Sequence, residues 1–213
     1  MGVSTSGAQV AGAKFSHSMQ ITNPYLPLAD LKQDVLEGTE KGKPIRIERT
    51  AMPGSKVFKV LGTDVQAMIV EDREFLAGQL SEVTLDYFAQ DDEGNVYYMG
   101  EDADNYKNGK VAAHRGAWLY GKQTQKLGLI MPAHPAIGMK FQSEAVGKIS
   151  TENDEIVSLT ETVAIPAGTF RNCLRVKEHA SDGETEEKLY ASGVGTIREE
   201  DAVLKSHNGV SAQ

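Results

Sequence analysis

Apolar and polar residues alternate along most of the chain after position 45. Ile45 and Ile47 are separated by Arg46, and the same period of two recurs in longer runs. These runs place Val83, Leu85 and Tyr87 opposite Thr84, Asp86 and Phe88, and Val157, Leu159, Glu161, Val163 and Ile165 opposite Ser158, Thr160 and Thr162. Successive side chains of a β-strand point to opposite faces of the sheet, so this period is typical of half-buried strands. The pattern predicts a mostly β protein.

Glycine-containing turn sequences separate the alternating runs. They are Glu40-Lys41-Gly42-Lys43, Pro53-Gly54, Asp92-Glu93-Gly94-Asn95, Lys107-Asn108-Gly109-Lys110, Pro166-Ala167-Gly168 and Ser181-Asp182-Gly183. Short strands joined by such turns favour antiparallel hairpins. The spacing predicts roughly a dozen strands in a meander, sandwich or barrel.

Two segments depart from the simple alternation. Residues 30–38 have apolar positions at helical spacing between Asp30 and Gly38, but we predict a strand that turns at Lys41-Gly42 and pairs with Ile45 to Arg49. Residues 126–138 contain Pro132 and Pro135, and two prolines so close together exclude a central strand. We predict a fixed loop there.

The composition indicates one domain. The chain has 213 residues, 40% of them hydrophobic, and one cysteine, Cys173, which excludes an internal disulfide. We predict a disordered lead over residues 1–19, a single β-rich domain over 20–207 and a tail over 208–213. The lead is rich in Gly, Ser and Ala. It fits a protein whose signal or lipid-anchor segment has been removed, and equally a cytoplasmic protein with a loose amino terminus.

Charge is distributed unevenly along the chain. The formal net charge is −8, yet residues 71–104 contain eleven acidic residues and one basic residue. This balance argues against nucleic acid as a partner. The longest apolar run is too short for a transmembrane segment. The acidic region predicts a lobe that favours cationic or neutral partners over anionic ones.

Three stretches resemble a group of uncharacterised bacterial exported, often lipid-anchored, β-rich domains. They are Asn23 to Leu28, Ile130 to Pro135 with Gly138, and the pair formed by Val163 to Leu174 and Tyr190 to Gly195. The order Pro-x-Gly-x-Phe followed by Tyr-x-x-Gly-Val-Gly is similar to that of periplasmic lipoprotein carriers, whose sheet forms an open half-barrel. The resemblance implies an all-β antiparallel sheet curled into a half-barrel or open barrel, with few or no helices. It also implies an extracytoplasmic location, and it carries over no catalytic residue.

The clustered acids are candidate metal ligands. Carboxylates are hard oxygen donors suited to Ca²⁺. The candidates form two clusters, Asp91, Asp92 and Glu93 at one turn and Asp102 and Asp104 after the next strand. Neither cluster matches the spacing of a calcium-binding loop. The alternative is a solvated hairpin whose like charges discourage edge pairing.

His134 lies between two prolines and is the histidine of most interest. Met131 and Met139 flank it, and imidazole with thioether is a ligand set for copper. The alternative is a histidine that closes the loop while the methionines fill the core. The partner for His134 in a metal site would be His114.

Aromatic residues are concentrated in residues 87–120. Tyr98, Trp118 and Tyr120 are the candidates for the floor of a ligand-binding face, with His114, His134 and Met131 at its rim. Such a face suits a small molecule, a glycan, a lipid or a peptide. The alternative is an ordinary core with tyrosine hydroxyls at its edges.

No nucleophile motif or phosphate-binding loop occurs in the sequence. We therefore expect an exported binding or scaffolding protein that presents an aromatic face next to an acidic hairpin. One alternative is a hydrolase or lyase that acts on a polysaccharide or lipid-like substrate through Tyr, His and carboxylate residues. Another is a copper- or calcium-binding protein.

Overall fold

The protein is built almost entirely from β-strands. The structure, a computed structural model, describes residues 12–147, 149–181 and 183–211. A short 3-10 helix, Leu28–Asp30, precedes the strands. The strands are β1 Gln33–Glu40, β2 Lys43–Val60, β3 Thr63–Leu76, β4 Gln79–Gln90, β5 Val96–Lys107, β6 Lys110–Ala113, β7 Trp118–Leu119, β8 Gly128–Met131, β9 Lys140–Ala145, β10 Thr151–Ile165, β11 Gly168–Ala180, β12 Thr185–Ala191, β13 Gly195–Glu199, β14 Ala202–His207 and β15 Val210–Ser211.

One antiparallel sheet contains all of these strands. Strands β1 to β6 form one meander, β9 to β14 form a second, and pairing of β1 with β14 joins them. Strands β7 and β8 both pair with β5, and β15 pairs with β14. The sheet curls until the edge strand β9 contacts β8, although no ladder between them closes a barrel in the described part of the chain. The predicted all-β class and curled, open sheet are confirmed.

Hairpin turns with an X-Gly pair connect many of the strands. Lys41-Gly42, Leu61-Gly62, Ala77-Gly78 and Asn108-Gly109 each have positive φ at both residues. Two consecutive positive φ values are the requirement of a type I′ turn, whose twist matches the flanking strands. The turns at Leu61 and Ala77 were not among those predicted, because neither Leu nor Ala is a typical left-handed residue.

The segment at residues 33–40 is a strand, as predicted. Strand β1 pairs with β2 from Gln33 opposite Thr50 to Glu40 opposite Lys43. The apolar residues of this segment have helical spacing, but the segment forms a strand because it pairs on both sides, with β2 and with β14.

Two predicted turn or loop segments are corrected by the structure. Pro53-Gly54 lies within β2, at a shift of register between Met52 and Lys56, so it marks a β-bulge instead of a hairpin. The predicted loop at 126–138 contains strand β8, which pairs with β5. The strand ends at Met131, so Pro132 removes no hydrogen bond from the ladder.

Both ends of the described chain belong to the domain. Residues 1–11 of the predicted lead lie outside the described residues, but Phe15 packs edge-on against Tyr97 with ring centroids 5.6 Å apart. Ser16 donates two hydrogen bonds to Asp92, each 2.8 Å long. In the predicted tail, Asn208 accepts a hydrogen bond from the backbone of Lys32 at 2.6 Å. Residues 12–19 and 208–211 are thus parts of the fold.

The core has one large and two small clusters. The large cluster joins Ile21, Leu26 and Leu28 of the amino-terminal segment to the sheet. A second cluster forms where the tip of the β10–β11 hairpin packs Phe170 against residues around Leu204. Apolar burial of this extent is the main source of stability for such a domain.

Curling of the sheet brings two backbones into close contact at Gly128. A Cβ atom at this position would collide with the carbonyl oxygen of Ser143 in β9. Gly128 does not have positive φ. Only the absence of a side chain allows β8 and β9 to approach, so this glycine is required for packing.

Candidate functional site

The predicted aromatic face is buried. Trp118 is 1% exposed, and Tyr98 packs against it edge-on with ring centroids 5.2 Å apart. Tyr120 and Met131 belong to the large core cluster. Of these residues, only Tyr98 lines the cavity described below. The aromatic residues are therefore part of the core. Their predicted role in ligand binding stays a prediction.

The two candidate histidines are exposed. His114 Nδ1 lies 2.8 Å from Asp104 Oδ1 on the surface. His134 is exposed on the loop after β8, whereas Met131 is fully buried. Neither histidine lines the cavity. Their role as copper ligands stays a prediction.

The five acids predicted to bind metal are engaged in separate contacts. Asp91 is buried and accepts hydrogen bonds from Asn95 and Tyr97, which closes the β4–β5 turn. Asp92 binds Ser16, Asp102 binds Lys56, and Asp104 lies beside His114. Glu93 donates its backbone N–H to Asp91. Within the described ranges, these five side chains do not form a group of three with donor atoms within 4.8 Å of one another.

An acidic cavity of about 290 Å³ lies inside the curl of the sheet. Its lining residues come from β1 to β5, β8 to β10 and β12 to β14, together with the amino-terminal segment. Its lining includes eleven carboxyl groups and two cations, Arg49 and Lys188. The carboxyl groups belong to Glu40, Asp72, Glu74, Glu82, Asp86, Glu101, Glu144, Glu152, Glu199, Glu200 and Asp201. We call this site the acidic cavity.

Both cations of the acidic cavity are already bound to carboxylates. Arg49 Nη2 lies 2.6 Å from Asp72 Oδ2 and 3.0 Å from Glu199 Oε2. Lys188 Nζ lies 3.1 Å from Glu199 Oε1 and 3.1 Å from Glu178 Oε2. Burial opposes the ionisation of Glu199, but the two cations lower its pKa to about 2. Glu199 therefore stays charged and links the two cations.

Two carboxyl groups on the neighbouring strands β4 and β5 resist ionisation. Asp86 in β4 lies directly across from Glu101 in β5, so the two side chains share one face of the sheet. Burial, and next the charge of Asp72, raises the pKa of Asp86 to about 7. Burial, and next Asp86 and Glu144, raises the pKa of Glu101 to about 8. Tyr98 donates a hydrogen bond of 2.5 Å to Asp86 Oδ1.

Apolar side chains complete the cavity. Leu26, Val70 and Ile130 line it, together with Phe88, whose ring stacks on that of Tyr98 at a centroid distance of 5.1 Å. The cavity thus combines many carboxyl groups with apolar and aromatic surface. This combination suits a ligand that has a cationic group on an apolar body.

A further group of acids lies beside the cavity. Glu152, Asp154 and Glu178 have carboxylate oxygens within 4.8 Å of one another, and they form the only such group of three within residues 12–147, 149–181 and 183–211. Glu152 also lines the acidic cavity.

The acidic run from Glu71 to Asp104 pointed to half of this site. Five of its eleven acids, Asp72, Glu74, Glu82, Asp86 and Glu101, line the cavity. The other six acids come from β1, β9, β10, β13 and the turn after β13, and they were not predicted. The signal available for this part of the lining was the polar residues of β12 and β13, which sequence alone does not distinguish from a solvated face.

No protein-family model, curated protein or solved structure matches this chain. In the part of the chain that the structure describes, no helix has the length and apolar character needed to cross a lipid bilayer.

Proposed function

We propose that this is a binding protein whose acidic cavity takes a small organic cation, an ammonium or guanidinium group attached to an apolar body. The observation that carries the proposal is the charge of the cavity wall, eleven carboxyl groups against two cations. Arg49 and Lys188 each contact two carboxylates, so their two positive charges do not balance the eleven carboxyl groups of the lining. A cationic ligand supplies the missing charge.

The shape of the site supports a ligand of limited size. A volume of about 290 Å³ lies just below the range of about 300–1,000 Å³ for small-molecule sites. Phe88 and Tyr98 place an aromatic stack at the wall that also holds Asp86. An aromatic face attracts a cation through its quadrupole, and adjacent carboxylates strengthen this attraction.

Calorimetric titration of the full chain tests the proposal. The probes are phenethylamine, agmatine and choline, each compared with a neutral compound of similar shape, such as phenethyl alcohol for phenethylamine. We expect saturable binding of at least one cation and at least tenfold weaker binding of its neutral counterpart. Equal affinity for both members of each pair would contradict the proposal, as would the absence of binding by every cation.

A pair of variants locates the ligand. Glu101→Gln removes from the cavity wall a carboxyl group that a bound cation would help to ionise, and Asp104→Asn removes a carboxylate from the exposed surface of the same strand, where Asp104 contacts His114. We expect Glu101→Gln to weaken cation binding about tenfold, which corresponds to about 1.4 kcal/mol. Asp104→Asn should leave the affinity unchanged.

The resemblance to exported half-barrel domains supports an extracytoplasmic setting for this binding function. Glycans, lipids and peptides stay within the proposal where they carry a cationic group. Fractionation of cells that express the native gene would test the location. Recovery in the cytosol alone would contradict it.

A hydrolase is the second candidate, and it depends on Asp86 and Glu101. Two carboxyl groups that share one face and have pKa values of about 7 and 8 suit general acid–base catalysis near neutral pH. Incubation with chromogenic glycosides and esters tests this candidate. Turnover that Glu101→Gln abolishes would favour it over simple binding, and the absence of turnover with every substrate would argue against it.

A further inference from the structure

Three carboxylates converge at the edge of the acidic cavity. Glu152 and Asp154 lie two positions apart on β10, and Asp154 pairs directly with Glu178 on β11. Residues at this spacing and register project from the same face of the sheet. Their carboxylate oxygens lie within 4.8 Å of one another.

Asp154 has an oxygen atom without a partner. Its side chain is 2% exposed, and its Oδ1 is buried without any hydrogen bond. A buried carboxylate oxygen without a hydrogen bond is unfavourable unless a cation or a proton binds it. This unsatisfied atom belongs to one of the three converging carboxylates, so it is an observation independent of the acidic composition and points to a missing partner at this place.

The charge of the three acids is only partly balanced. Lys188 Nζ contacts Glu178 Oε2 at 3.1 Å, but the same ammonium group also contacts Glu199. The three carboxylates carry three negative charges when ionised, and Lys188 supplies at most one positive charge. A divalent cation would bring the group to neutrality.

The donor atoms determine which kind of cation fits. All of the group's ligands are carboxylate oxygens, and Ser143, which is fully buried on β9, places its hydroxyl oxygen 3.4 Å from Glu152 Oε2. Oxygen donors select hard cations, whereas copper and zinc favour nitrogen and sulfur. Oxygens within 4.8 Å of one another can share an ion at the Ca²⁺–O distance of about 2.3–2.6 Å.

We infer that Glu152, Asp154 and Glu178 form a binding site for a hard divalent cation such as Ca²⁺ or Mn²⁺, entered from the acidic cavity. Glu152 lines that cavity and connects the site with it. The inference does not depend on the binding of an organic cation, because its ligands lie on β10 and β11, away from Asp86 and Glu101 on β4 and β5. It also differs from the calcium ligands predicted from sequence at residues 91–93, 102 and 104.

The experiment is a titration of the metal-free full chain with CaCl₂ and MnCl₂ by calorimetry. A parallel titration with TbCl₃ uses luminescence, with Tyr190 as the sensitiser. Tyr190 lines the acidic cavity together with Glu152. We expect one saturable site for at least one of the divalent ions.

Asp154→Asn and Glu155→Gln are a matched pair for this experiment. They remove one charge at neighbouring positions of β10, but Glu155 contacts Lys140 at 3.0 Å. Asp154→Asn should weaken metal binding at least tenfold, and Glu155→Gln should leave it unchanged. Asp154→Asn replaces a buried carboxyl group that has an unsatisfied oxygen, so the metal-free variant should fold with stability at least equal to that of the parent.

The results that overturn the inference are distinct. Absence of saturable metal binding by the parent would do so and would indicate that a proton satisfies Asp154. Equal metal affinity of the parent and Asp154→Asn would also overturn it. Loss of binding in Asp92→Asn with retention in Asp154→Asn would place the metal at the β4–β5 turn instead. Glu101→Gln should not alter metal binding, so failure of the organic-cation proposal and failure of the metal site can be told apart.

Discussion

Arg49 and Glu199 are 150 positions apart in the chain, yet Arg49 Nη2 lies 3.0 Å from Glu199 Oε2. Arg49 is on β2 and Glu199 is on β13, and strands β1 and β14 lie between them in the sheet. The contact therefore spans the inside of the curl. It connects the carboxylates bound to Arg49 with those bound to Lys188, which makes it the central ion pair of the acidic cavity.

Loss of Arg49 should destabilise the protein strongly. Arg49→Met would leave Asp72 and Glu199 with less compensation for their buried charges. Removal of one partner of a buried ion pair lowers the free energy of unfolding by about 3–5 kcal/mol. We expect a value near the lower end, about 3 kcal/mol, because the Arg49 side chain is 17% exposed.

Arg46→Met is the matched control for Arg49. Arg46 is on the same strand and contacts Glu37 and Glu48, but its side chain is 42% exposed. We expect a decrease of less than about 1 kcal/mol. Urea denaturation at neutral pH measures both variants. Equal decreases would show that the ion pair inside the curl has no special role.

Stability should fall as the pH rises toward 8. The ordinary pKa values of Asp86 and Glu101 are 3.8 and 4.5, and in the folded protein they are raised to about 7 and about 8. At a pH between the ordinary and the raised pKa of each group, the folded state therefore binds more protons than the unfolded state. The free energy of unfolding decreases as the pH rises through this interval. The slope contributed by each group is at most about 1.4 kcal/mol per pH unit.

The double variant Asp86→Asn, Glu101→Gln tests this pH dependence. It removes both titrating groups, so its free energy of unfolding should vary less than that of the parent between pH 5 and pH 8. Glu199, whose pKa is about 2, titrates below this interval and does not obscure the difference. Parallel curves for parent and variant would contradict the expected ionisation of the cavity wall.

Tyr98→Phe should destabilise the protein through Asp86. The variant loses the hydroxyl that donates to Asp86 Oδ1 and leaves a buried carboxylate less satisfied. The expected decrease in the free energy of unfolding is about 2 kcal/mol. Tyr106→Phe, at a half-buried position on the same strand, should change it by less than about 0.5 kcal/mol. Thermal denaturation of both variants provides the comparison. An unchanged free energy of unfolding in Tyr98→Phe would show that this hydrogen bond does not stabilise the protein.

Gly128→Ala should disrupt the approach of β8 to β9. Its Cβ would collide with the backbone of Ser143, which cannot move aside as a flexible side chain can. We expect a decrease of about 2 kcal/mol or more in the free energy of unfolding. Gly62→Ala has open space but a φ of 87°, and should lower it by about 1 kcal/mol through backbone strain alone. A smaller effect at Gly128 than at Gly62 would contradict the packing argument.

Local patterns were sufficient to predict several elements. The period of two and the turns at Lys41-Gly42 and Asn108-Gly109 predicted hairpins that the structure contains. Strand β8 was not predicted because a proline such as Pro132 is unfavourable in a central strand. Pro132 follows the last residue of β8, so it removes no hydrogen bond from the sheet. Pro53-Gly54 was predicted to be a turn and is a β-bulge, because bulges and hairpin turns use the same residue types.

The sequence by itself determined the strand class, the antiparallel hairpins and the local excess of negative charge, because alternation and turn chemistry act between neighbouring residues. Only the tertiary structure decided that the acidic wall faces a cavity, that Arg49 meets Glu199 and that Asp154 meets Glu178. In a half-buried strand, polar residues at alternate positions are compatible with solvent and with the inside of a curl. The curl itself arises from sheet twist and long-range contacts between β1 and β14 and between β8 and β9, which no local pattern encodes.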